Sequence, residues 1–132
     1  MGRGLEEGMG LRQHRPRDPV ESDPRFQRFP GSPKPVRSSS VAPALSHPAR
    51  RRILRRLHTG DGLRSASQLA AELGLSRNYV SYHVKVLRDL GLIWPVGWIA
   101  VRGAEEIFCC SLVDRDPQAT VILAETQGND EG

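Results

Sequence analysis

Residues Ser76 to Gly91, SRNYVSYHVKVLRDLG, constrain the rest of the chain more than any other stretch. At 3.6 residues per turn, Val80, Val84 and Leu87 fall on one face of a helix, with His83 and Leu90 at its edge. Such a face has to be covered, so neighbouring segments must bring apolar stripes of their own. Asn78, Ser81, Tyr82 and Lys85 fall on the opposite face. They carry an amide, a hydroxyl, a phenol and an ammonium, groups that hydrogen-bond base edges or phosphates in a DNA groove. Any solvated helix surface is also polar, and the flanking sequence decides between the two readings.

Upstream, Ser65 is placed to cap a short helix carrying Leu69, Ala70 and Leu73, followed by Gly74-Leu75-Ser76. Gly74 supplies the left-handed residue that ends this helix, Leu75 plugs the corner and Ser76 caps the next helix. The small Ala70 lets the two helices cross closely. A short helix, a glycine-containing turn and a second amphipathic helix form the helix-turn-helix signature. Its bland counterpart is a helical hairpin without a ligand. Earlier still, Ser46 is the expected cap and Pro48 suits a first turn. Ala49, Ile53, Leu54 and Leu57 then make an apolar stripe in a helix that ends before Gly60. Arg50, Arg51, Arg52, Arg55 and Arg56 occupy its remaining surface, where charges ordinarily solvate a helix and one or two can steer DNA. Asp61, Gly62 and Arg64 read as a turn.

Downstream of Gly91, LIWPVGWIAV and AEEIFCCSL read as two strands around Arg102-Gly103. Pro95 suits only an edge or a strand start. This hairpin covers the helices with apolar side chains and presents Arg102 to a nucleic-acid backbone or minor groove. The expected fold is mainly α with a small β hairpin, a three-helix core plus a two-stranded wing.

Most apolar residues lie between Val41 and Leu112, so residues 41–113 are expected to form the single domain, near the lower size for independent folding. Prolines at 16, 19, 24, 30, 33 and 35 break any periodicity in residues 1–40, which read as a disordered Pro/Arg/Gly-rich segment. Residues 114–132 read as a short, largely disordered acidic tail, with ATVILAET as a brief helix or strand, or frayed. The net charge of +4 and the pI near 9.7 suit a polyanionic partner without identifying one. Adjacent Cys109 and Cys110 cannot pair without strain, which favours a reduced, cytoplasmic protein, with nucleoid association expected only from the DNA-binding reading. No apolar run of membrane-spanning length or secretory signal is visible.

The stretches ALSHPARRRILRRL, SASQLAAELGLS, NYVSYHVKVLRDLGLI and VRGAEEIF resemble the winged helix-turn-helix regulators of the ArsR type, over roughly residues 43 to 112. The resemblance implies a prokaryotic transcription regulator, commonly a homodimer whose paired recognition helices enter successive major grooves. Position by position, it puts Ser76, Arg77, Asn78, Ser81, Tyr82 and Lys85 where this family meets DNA, and Arg102 at the wing tip. Metal-sensing members carry two cysteines one residue apart where this chain has Ser65 and Ser67, poor ligands for soft metals. The four histidines form no chelate spacing, so no metal or cofactor is expected. Cys109 and Cys110 replace an aromatic residue near the end of the last strand, and Glu105 and Glu106 beside the wing would repel phosphate. The long dimer-building helix that many relatives carry after the wing is not evident.

Sequence-specific double-stranded DNA binding is therefore the leading expectation, with recognition helix 76–91 in the major groove. The alternatives are a winged-helix protein-interaction module without DNA binding and a thiol-based redox-responsive regulator. No nucleophile, base and orienting group stand at catalytic spacing, so an enzyme is not expected. Nothing in the sequence names an effector.

Overall fold

The computed structural model describes residues 19–60 and 62–131. In chain order the elements are β1 (Gln27–Arg28), α1 (Val41–Ala44), α2 (Pro48–Thr59), β2 (Arg64–Ser65), α3 (Ala66–Leu73), α4 (Arg77–Leu90), β3 (Ile93–Val101), β4 (Ala104–Ser111) and α5 (Pro117–Glu131). Single 3-10 turns occur at Pro19–Ser22, Ser38–Ser40 and Val113–Arg115.

Local chemistry sets the helix ends. Ser65 and Gln68 form a reciprocal capping box at the start of α3, and Gly74 closes that helix in the left-handed region. Ser76 Oγ accepts the Tyr79 amide at 3.2 Å to open α4, and Gly91 closes it in the same left-handed manner as Gly74. The start of α2 corrects the expected cap. Ser46 Oγ donates instead to the Pro43 carbonyl, and His47 is the cap, its Nδ1 accepting the Ala49 amide at 3.3 Å.

Val80 and Leu87 of α4 are fully buried against Ile53, Leu54 and Leu57 of α2, Leu69 and Ala70 of α3, and Leu92, Ile93 and Cys109 of the sheet. The expected three-helix core and hairpin are present. The sheet is larger than a hairpin: four antiparallel strands lie in the order β1-β3-β4-β2, with Val101 opposite Ala104 at the hairpin end. Pro95 pairs with Cys109 beside a register shift between Pro95 and Gly97, a position compatible with its missing N–H.

Both flanks depart from expectation. Residues 1–18, and with them part of the arm read as disordered, lie outside the described residues, as do Asp61 of the expected turn and Gly132. Within residues 19–40, read as disordered, a short piece instead joins the sheet: Gln27 pairs with Trp98 and Arg28 with Gly97. A Cβ on Gly97 would collide with the Gln27 carbonyl and the Phe26 ring, so the glycine permits that approach. Proline excludes helix here without excluding an ordered course along the sheet.

The segment from 114 onward, read as a largely disordered tail, forms the 15-residue helix α5. Ala119, Leu123, Thr126 and Asp130 share one face at spacings of four, three and four. Ala119 and Leu123 enter the core. Thr126 and Asp130 meet α2: Arg55 donates to the Leu123 carbonyl (2.9 Å), Thr126 Oγ1 (3.2 Å) and Asp130 (2.9 Å), while Arg51 holds Asp130 through two nitrogens at 2.7 and 2.8 Å. These guanidiniums hold the Asp130 carboxyl down at about 2, below its ordinary 3.8. The core therefore extends beyond residues 41–113 on both sides, taking in Val36, Ala119 and Leu123.

The Asp130 side chain is 2% exposed, so Asp130→Asn leaves Arg51 and Arg55 without their counter-charge. The variant is expected to lose about 3 kcal/mol of unfolding free energy in a urea titration near neutral pH. In the wild type this contribution is complete above the unfolded carboxylate value of 3.8 and disappears as pH falls towards 2. An unchanged urea midpoint for Asp130→Asn would show that α5 is not anchored in this way.

Candidate nucleic-acid interface

Because Val80, His83, Leu87 and Leu90 point inward from α4, the helical period turns residues 78, 81, 82 and 85 to solvent. The structure leaves all seven candidates, Ser76, Arg77, Asn78, Ser81, Tyr82, Lys85 and Arg102, exposed. The first six lie on the N-terminal half of α4 and its cap. Tyr82 is 59% exposed, and Lys85 makes only a long 3.4 Å pair with Asp89, one turn along the same helix. Such exposed pairs are weak and leave the ammonium available to a phosphate.

Arg102 stands apart at the β3–β4 turn. It has φ +52 and Gly103 φ +82, the backbone signature of a type I′ hairpin turn. An arginine in this left-handed conformation carries strain of order 1 kcal/mol. The residue is exposed at the wing tip.

Arg77, Ser81, Lys85 and Arg88 form one wall of a shallow groove of about 260 Å³, with Glu105 and Glu106 on the opposite wall. Glu106 is fixed there by a 2.6 Å hydrogen bond from Ser65 Oγ. The acidic strand face opposes approach of a phosphate, so any wing contact has to come from Arg102.

The five arginines of α2, one or two of which are expected to steer DNA, are each engaged within the fold. Arg50 donates to His83 Nδ1 at 3.0 Å and Arg52 to the Leu73 carbonyl at 3.2 Å. Arg51 and Arg55 clasp Asp130, and Arg56 donates to Glu72 at 2.7 Å. All five hold helices together.

His83, read as an edge residue, is only 2% exposed. His47 lies 4.5 Å from it between ring centroids, Tyr79 presents itself edge-on at 4.6 Å, and Tyr82 closes the far side at 5.1 Å. Burial, then His47 and Arg50, lowers its pKa and favours the neutral ring that Arg50 needs as acceptor. Tyr79 is a residue that sequence reasoning misses, yet it is 41% exposed beside Asn78. Its only signal is its place on the flank between the two faces, one turn before His83.

Ser65 is buried, its hydroxyl engaged by Gln68 and Glu106. Among the described residues, no three His, Cys, Asp or Glu side chains are grouped to hold a metal ion. Burial pushes the Cys109 thiol up to about 12 and raises Cys110 as well. Both are held as thiols rather than reactive thiolates, which argues against the redox alternative.

Residues 45–94 match the family model of a helix-turn-helix domain. The fold is a winged helix-turn-helix. Among solved structures, the chain is similar to a predicted DNA-binding transcriptional regulator from E. coli, with 27% identity, a TM-score of 0.50 and coverage of 70% of this chain and 87% of that one. It also resembles the homodimeric winged helix-turn-helix DNA-binding domain of a possible ArsR-family regulator from Mycobacterium bovis, at 19% identity, TM-score 0.48, and 72% and 79% coverage. No curated protein matches the chain significantly. Among the described residues, no helix is long and apolar enough to cross a membrane.

The buried imidazole beneath the helix-turn-helix predicts acid sensitivity. Unfolded chains take up a proton at the ordinary histidine value of 6.5, whereas His83 in the fold resists it. Stability from this source is therefore complete above 6.5 and falls as pH drops below it. His83→Gln keeps an acceptor for Arg50 but does not titrate, so its melting temperature should vary less than the wild type's between about pH 7 and 5. Identical pH profiles would remove His83 from the account.

Proposed function

We propose that this protein is a sequence-specific double-stranded DNA-binding transcriptional regulator of the ArsR type, cytoplasmic and not an enzyme, with α4 as its recognition helix. The observation that carries the reading is the exposure of Asn78, Ser81, Tyr82 and Lys85 along one side of a helix whose other side is sealed in the core. The helix-turn-helix match over residues 45–94 and the likeness to the predicted DNA-binding transcriptional regulator from E. coli support it.

In this reading the N-terminal half of α4 enters the major groove. Asn78, Ser81 and Tyr82 meet base edges, each good bidentate pairing contributing about 1–3 kcal/mol of discrimination. Ser76 and the first amides of α4 face a phosphate, favoured by the positive end of the helix dipole. Arg77 and Lys85 neutralise phosphates on either side, and Arg102 reaches the backbone or minor groove from the wing. One recognition helix covers only a few base pairs, so a homodimer on two half-sites one helical turn apart supplies the length a specific operator needs.

Lys85→Ala should weaken binding to every sequence alike and flatten the slope of log affinity against log salt by about 1 for each phosphate that is no longer neutralised. Asn78→Ala should leave that slope intact and relax base preference at one position of each half-site in a selection from randomised duplexes. Equal selectivity in wild type and Asn78→Ala would remove Asn78 from base readout. Failure of the wild type to enrich any duplex at low salt would defeat the DNA-binding reading itself.

A further inference from the structure

The segment Pro30–Arg37 passes over the C-terminal end of α4 and the start of β3, enclosing a cleft of about 740 Å³. This volume lies in the range of small-molecule sites. The cleft follows from the prolines. β1 pairs only with Gly97 and Trp98, leaving the Ile93–Pro95 edge of β3 uncovered on that side. Pro95 offers no N–H there, and Pro30, Pro33 and Pro35 offer none from the opposing segment, so a ladder cannot zip the two together.

The lining mixes apolar and cationic groups: Trp94 and the proline rings with Lys34, Arg37 and Arg88, and a single carboxylate, Asp89. Asp89 makes long, exposed pairs with Lys85 at 3.4 Å and Arg88 at 3.9 Å, and the three lining cations outnumber it. Among the described residues, neither Lys34 nor Arg37 has a carboxylate within salt-bridge distance. An indole lining the same cleft as cations of this kind suits a flat organic anion, its ring against Trp94 and its charged group held by Lys34 and Arg37. The overlying segment is seated on α4: the Arg37 amide donates to the Leu90 carbonyl at 2.9 Å, and a Cβ on Gly91 would touch Val36 Cα at 3.0 Å.

We propose that this cleft is a binding site for a small aromatic carboxylate or a comparable flat organic anion, recognised by Lys34 and Arg37 over Trp94. The site lies at the opposite end of α4 from the candidate DNA face. It does not require the DNA-binding reading, and because the test contains no DNA, failure of either proposal leaves the other standing.

The test uses the isotope-labelled full chain, titrated separately with benzoate and with benzylammonium, probes of like size and opposite charge, and followed by two-dimensional NMR. Benzoate is expected to shift the Trp94 indole N–H and the Gly91 amide saturably, leaving the Trp98 indole N–H in place. Benzylammonium should not shift them. The double variant Lys34→Gln/Arg37→Gln keeps the Arg37 backbone amide, so its spectrum should retain the wild-type dispersion while the dissociation constant for benzoate rises at least about five-fold. Equal shifts with the two probes would reduce the cleft to an unselective apolar surface and overturn the proposal. So would shifts that never saturate, or a well-dispersed double variant with unchanged benzoate affinity. A double variant that loses its dispersion is replaced by the two single variants, each expected to weaken benzoate, and unchanged affinity in both overturns the proposal equally.

Discussion

The burial of Val80 and Leu87 sets the rotation of α4, and most of the functional geometry follows from it. Both are fully enclosed, contacting side chains from α2, α3 and the sheet. A helix with two such anchors seven residues apart cannot turn about its axis without opening the core, so its outer face is fixed to the same precision. Burial and display are one constraint. His83 tightens it, because a polar ring on the inner face is tolerated only where a donor meets it. Arg50 of α2 supplies that donor at 3.0 Å. The rotation of α4 thus depends on a directional bond to a neighbouring helix as well as on packing.

Basic composition points towards a polyanion, but the structure shows how far a summed charge can mislead about location. The densest arginine run, on α2, is turned inward or sideways onto Asp130, Glu72, His83 and helix-end carbonyls. Arg55 is 8% exposed, and its guanidinium is satisfied by three acceptors on α5. Asp130 belongs to a segment whose acidity sets it apart from the basic core in the sequence, yet it is the counter-charge of α2. Among the described residues, exposed cations outside α2 include Arg77 and Lys85 on α4, Arg102 on the wing, and Lys34 and Arg37 beside the proline cleft.

Sequence reading succeeds where the determinant is local. Gly74, Ser76 and Gly91 act on the backbone within a turn of themselves, and an apolar stripe declares its inner face whatever covers it, so α2, α3, α4 and the hairpin are all legible. The outward residues of α4 are legible for the same reason. Features that depend on distant partners are not. Nothing near Gln27 announces that it will pair with Trp98; the clue lies at Gly97, a glycine inside a strand, which marks where another backbone comes close. The length of helix α5 escapes notice because its buried stripe begins with Ala119 and Leu123 but continues with Thr126 and Asp130, polar residues that apolar periodicity counts as solvent-facing. Ser46 loses its expected cap to His47 because an imidazole nitrogen can accept an amide as a hydroxyl does, and propensity ranks it lower.

Arg88 links the two ends of α4. It lines the groove that Arg77 and Lys85 share with the wing, and it also lines the proline cleft. If DNA brings a phosphate to Arg88 in spite of Glu105 and Glu106 on the facing wall, one guanidinium cannot hold it and a carboxylate in the cleft with full strength at once. If both proposed sites are occupied, their free energies are coupled through this side chain. Linkage makes the coupling reciprocal: an anion that draws Arg88 towards the cleft weakens the phosphate contact by the same factor by which DNA weakens the anion. A fold this small offers few bistable elements, and packing leaves α4 no freedom to rotate. A side chain placed between two anion sites needs no movement of the backbone to make each respond to the other.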